Sequence, residues 1–61
     1  MNKKEKDYYM REAMRTFGSA FIQALAECLE RADTTNYGRL EMAFPEYIAQ
    51  YRRKANENKN L

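Results

Sequence analysis

Between Met10 and Ala32 apolar side chains return in steps of three and four: Met10, Met14, Phe17, Phe21, Ala24 and Leu25, Cys28 and Leu29, Ala32. A strand alternates with a period of two, so this spacing specifies an amphipathic helix. Glu12, Thr16, Ser19, Gln23, Glu27 and Glu30 fall on the opposite side. The pattern predicts one helix over about residues 5–32, with Asn2 or Asp7 as its cap. Asp7 with Arg11 and Glu27 with Arg31 stand acid-before-base four residues apart, the spacing that supports a helix by a few tenths of a kcal/mol.

Asp33-Thr34-Thr35-Asn36 is a turn and cap cluster over residues 33–36. Beyond it Tyr37, Leu40, Phe44, Ile48, Tyr51 and Ala55 step by three and four again. Pro45 lacks an amide proton and disfavours helical geometry at Phe44, yet suits the first position of a new helix. The expected second half is therefore a helix at about 34–43 and another at about 45–56, or one bent helix. Residues 57–61 lack periodicity and are expected to fray.

The chain reads as a single all-α domain, 1–61. A short turn makes the long helix and the downstream half antiparallel neighbours, a helical hairpin. Its core seam is expected from Met14, Phe17, Phe21, Leu25, Leu29, Tyr37, Leu40, Phe44, Ile48 and Tyr51. Counting from the turn, Leu25 meets Phe44, Phe21 meets Ile48, and Phe17 lies near Tyr51. At about 100° per residue the apolar arc of the long helix is wider than one hairpin covers. Ile22 and Ala26, joined by Met42, form the candidate self-association face. Two such hairpins would pair into a four-helix-bundle-like homodimer.

Size supports that expectation. With 61 residues, the chain buries only about 60% of what its unfolded form exposes, and such cores supply roughly 3–5 kcal/mol. A partner chain is the simplest supplement, because Cys28 is the sole cysteine and histidine is absent. Those absences also remove the usual zinc, haem and iron–sulfur ligand sets and the Ser-His and Cys-His nucleophile pairs. No enzyme activity, metal or cofactor is expected. Cys28, in mid-stripe, reads as a core residue, or as an intermolecular disulfide if it sits on a dimer axis. Glu12, Glu27 and Glu30 read as a solvated face, since di-iron bundles need Glu-x-x-His. Gly18 and Gly38 read as points of close helix approach, Gly18 also as a bend.

The charged start, the lack of an apolar leader and the short Ala20–Leu29 stretch predict a cytoplasmic chain with no membrane partner. Net charge is +2. Residues 1–15 carry +2, residues 52–61 carry +3, and the middle carries −3. A hairpin would gather Lys3, Lys4, Lys6, Arg52, Arg53 and Lys54 with Tyr8 and Tyr9. Basic groups among aromatics bind single-stranded nucleic acid by neutralising phosphates and stacking bases. The same cations also complement a helix C-terminus and aid solubility. Thr34, Thr35, Asn36 and Arg39 are base-competent at a helix start, but the acidic groups at Glu27, Glu30 and Asp33 would repel phosphates there.

Ala24-Leu25, Ala32-Asp33, Asn36, Leu40, Ala43-Phe44-Pro45-Glu46-Tyr47 and Tyr51 resemble a pattern in short helical proteins of bacteriophages and mobile elements of gut bacteria, over about residues 20–52. That group has no assigned activity, so the resemblance implies a helical fold and a phage or mobile-element origin alone. The functional expectation is a self-associating, non-enzymatic interaction module, such as an accessory or inhibitor protein with a further protein partner. A small nucleic-acid-binding protein is the alternative.

Overall fold

The structure is a computed structural model and describes residues 2–59. It is all-helical over those residues: α1 (Lys3–Phe17), α2 (Ala20–Arg31), α3 (Thr34–Ala43) and α4 (Pro45–Lys59). α1 packs against both α2 and α4, and α3 packs against α4. Asn2 caps α1 by accepting from the Glu5 amide at 2.9 Å. Asp33 caps α3 in the same way, accepting from Asn36 at 2.8 Å. Phe44 closes α3 with a non-helical backbone, its N–H donating to the Leu40 carbonyl, and Pro45 opens α4. α4 continues through residues 57–59, beyond the expected end at 56; residues 60–61 of the expected frayed tail lie outside the described residues.

The single helix expected over 5–32 is two helices. Gly18 and Ser19 are both extended, at ψ 159° and 174°. The freed backbone groups are satisfied on the spot. Gly18 N–H donates to the Met14 carbonyl at 2.9 Å, and Ser19 Oγ accepts from the Ile22 amide at 3.4 Å. The Gln23 side-chain amide donates to the Gly18 carbonyl at 3.1 Å. A serine cap beginning a second helix offsets the hydrogen bonds lost by interrupting the first.

The break lets α2 fold back on α1, and this exchanges the two apolar stripes. Met10, Ala13, Met14, Ile22, Leu25, Ala26, Leu29, Ile48, Tyr51 and Ala55 form the core, with Tyr37, Leu40 and Phe44 packed at its edge. Ile22 and Ala26, expected to await a partner, are 4% and 0% exposed inside their own chain. Phe17 and Phe21, expected in the seam, are 50% and 52% exposed. Cys28, expected in the core, is exposed as well. On α2 the stripe Ile22–Leu25–Ala26–Leu29 and the stripe Phe21–Ala24–Cys28 lie side by side. A straight helix would have buried Phe21 and Cys28, together with Leu25 and Leu29, against the downstream half. The folded-back helix buries the first stripe against α1. Met42, the third member of the expected self-association face, is 84% exposed and far from the burial of the other two.

The glycines also differ from each other. A Cβ on Gly18 would lie 2.4 Å from Ile22 Cγ2 and from the Met14 carbonyl oxygen, so close approach requires glycine there. Gly38 meets nothing within 4 Å, contrary to the packing role expected for it.

Candidate protein-binding surface

Two ion-pair clusters tie the helices together and decide which charges remain for function. At the first, Asp7 is 6% exposed and lies between Lys3 at 2.8 Å and Arg52 at 3.0 Å. Both cations also reach Glu41, at 3.6 Å and 2.8 Å, so the cluster links α1, α3 and α4. Burial pushes the Asp7 carboxyl up, but hydrogen bonds from Lys3 and Arg52, and then their charges, outweigh it. The net shift is downward. Arg11 does not pair with Asp7 as its spacing suggested; its Nη1 donates to the Tyr37 hydroxyl at 3.3 Å. At the second cluster, Arg15 meets Glu12 at 2.6 Å, Glu30 at 3.1 Å and Glu27 at 3.6 Å, and Glu27 also accepts from Arg31. Glu27 and Glu30 thus reach from α2 to a guanidinium of α1 that also pairs with Glu12 on its own helix, while all three glutamates stay about half exposed, on the solvated face that was expected.

Because Asp7 has a lowered folded-state pKa, its stabilisation is complete above the unfolded carboxylate value near 3.9 and fades as pH falls through the folded value. The expected result is a denaturant midpoint that is flat near neutrality and drops below about pH 4. Asp7→Asn should cost about 1–2 kcal/mol at pH 7 and flatten that acid limb, as chemical denaturation at several pH values would read. An unchanged limb in the variant would remove Asp7 from this role.

Of the expected basic region, Lys3 and Arg52 are brought together, whereas Arg53 and Lys54 line a groove at Phe17, the end of α1 opposite Lys3, and part of the charge is engaged. Lys3 and Arg52 serve Asp7 and Glu41, and the Lys54 ammonium sits 4.7 Å above the Phe17 ring. Lys4, Lys6 and Arg53 are exposed. Tyr8 and Tyr9 are exposed and stack edge-to-face on each other at 5.3 Å. The cleft beside Lys3, Lys4 and Arg11, about 640 Å³, is also lined by Asp7, Glu30 and Glu41. Its three cations and three carboxylates give no net attraction for a polyanion.

A different surface stands out. The rings of Phe21, Phe44 and Tyr47 contact one another pairwise, with centroids 5.8, 6.0 and 6.2 Å apart. They come from α2, from the α3–α4 junction and from the first turn of α4. Phe44 is held at the junction by the backbone that precedes a proline, and Phe21 by the serine-capped start of α2. Phe21 and Tyr47 are 52% and 40% exposed, so the cluster reaches outward from Phe44 at the edge of the core. Ala24 and Cys28 extend it along the outer side of α2, where both are exposed. The sequence placed Phe21 and Phe44 in the seam and did not single out this cluster; Phe-Pro-Glu-Tyr at 44–47 is its available signal.

Among the described residues no group of His, Cys, Asp or Glu could hold a metal ion, and no helix is long and apolar enough to cross a membrane. No family model, curated protein or solved structure matches this chain.

Proposed function

We propose that the chain is a non-enzymatic helical interaction module that binds another polypeptide through the Phe21–Phe44–Tyr47 surface. The observation carrying this is a cluster of three mutually packed rings, two of them about half open to water, on a domain with very little core to spare. Rings pre-packed against each other bind with little loss of side-chain freedom, and aromatic anchors dominate protein interfaces. An accessory or inhibitor role in a phage or mobile element fits such a module, on the sequence resemblance alone.

Panning a random peptide library against the immobilised protein tests the proposal. Peptides rich in apolar and aromatic residues should be enriched, and Phe21→Glu with Tyr47→Glu should abolish their binding while circular dichroism stays helical. No enrichment, or enrichment indifferent to both substitutions, would contradict it. The nucleic-acid alternative has its own arm: a labelled single strand at about 50 mM salt, where counterion release favours binding most, should show no rise in anisotropy.

A further inference from the structure

We infer that the ring surface takes a second copy of this chain, with α4 running antiparallel to its counterpart across a two-fold axis beside Gln50. The inference rests on the reading of the ring cluster as a protein-binding surface and names its partner. Two shallow grooves flank α4 and meet at Gln50. One is formed by the α3–α4 junction with Glu46 and Tyr47, the other by Phe17 with Arg53 and Lys54. The N-terminal half of this side of α4 therefore offers a carboxylate and an aromatic ring, and the C-terminal half offers Arg53 and Lys54, the latter over the Phe17 ring, with Glu57 one turn further on.

That arrangement is complementary to itself. A two-fold axis superimposes positions equally distant from it on opposite sides, as isologous interfaces require. Placed beside Gln50, it sets Glu46 and Tyr47 of one copy against Arg53 and Lys54 of the other, twice over. Each side gains an ion pair and a cation over the Tyr47 ring. A parallel arrangement would instead oppose like charges. The chain exposes 4445 Å², so a standard interface of about 800 Å² per partner would cover under a fifth of it. Three of the ten buried apolar residues are alanine, so the core is small and a partner's burial would supplement it.

Sedimentation equilibrium at micromolar concentration should give twice the chain mass. In a Cys28→Ser background, Gln50→Cys should be joined to its symmetry mate by a short bismaleimide, while Thr35→Cys should not. Glu46→Lys should weaken the dimer by about tenfold or more, and adding Lys54→Glu should restore it, because the reversed pair again attracts. A monomer throughout would overturn the inference, as would a dimer linked through Thr35 and not Gln50. If the monomer still binds library peptides through its rings, the second copy alone is refuted. If it binds none, the interaction-module reading falls as well.

Discussion

Replacing Gly18 with alanine should destabilise the chain by about 2–3 kcal/mol and lower its thermal midpoint by about 10–20 °C. The new methyl group would lie 2.4 Å from Ile22 Cγ2, 2.6 Å from Ile22 Cβ and 2.4 Å from the Met14 carbonyl oxygen. Of these, the carbonyl is part of the last turn of α1 and cannot step aside without breaking the bond it accepts from Gly18. Alanine also favours a continuous helix by about 1 kcal/mol over glycine, so the substitution pushes toward the straight arrangement that the fold rejects. Gly38→Ala provides the opposite sign. Its added methyl meets open space within α3, and relief of glycine's entropy cost should stabilise by about 0.5–1 kcal/mol. Thermal melts of the two variants should move in opposite directions. A neutral Gly18→Ala would mean that α2 does not approach α1 as closely as described.

Ile22→Glu should unfold the chain. Ile22, on α2, is 4% exposed in the core it shares with Met14, Leu25 and Ala26. A carboxylate forced there loses its hydration with no cation assigned to receive it, a cost of several kcal/mol. A domain of this size holds roughly 3–5 kcal/mol in reserve, so the loss exceeds it. Phe21→Glu, one position earlier, should leave the helical signal intact, because half of that ring already faces water. Far-UV circular dichroism at neutral pH reads the contrast directly. Had α2 continued α1, the outcomes would be reversed: Phe21→Glu would break the seam and Ile22→Glu would only expose a charge.

That reversal also marks where the sequence is legible and where it is not. Periodicity located helical chain nearly everywhere, and the Asp33 cap and Pro45 stop-and-start could be read from their chemistry. Met14, Leu25, Leu29, Ile48 and Tyr51 lie in the core because each belongs to a stripe buried under either arrangement of α2. Phe21, Ile22, Ala26 and Cys28 do not share that redundancy. On adjacent faces of one helix two stripes are equally apolar, and the choice between them depends on where the neighbouring helix lies. The Gly18-Ser19 pair holds that information as a helix end followed by a cap, but a six-turn apolar repeat running through it masks the signal. Long-range ion pairs were beyond reach for a related reason. Asp7 takes Arg52 over Arg11 because α4 is packed against α1, which no local spacing encodes.

The fold-back at Gly18 and Ser19 underlies both the exposed rings and the buried Ile22, and one distance tests it. Cys28 is exposed and already supplies one site for a spin label; Lys4→Cys supplies the other. Labelled protein diluted into an excess of unlabelled chain would be measured by double electron–electron resonance. With α2 packed antiparallel on α1, at helix spacings of about 8–10 Å, the labels should stand within about 20 Å of each other. One uninterrupted helix would hold them about 36 Å apart, at 1.5 Å per residue. A single population near the longer distance would contradict the fold and, with it, the surface on which the proposed function stands.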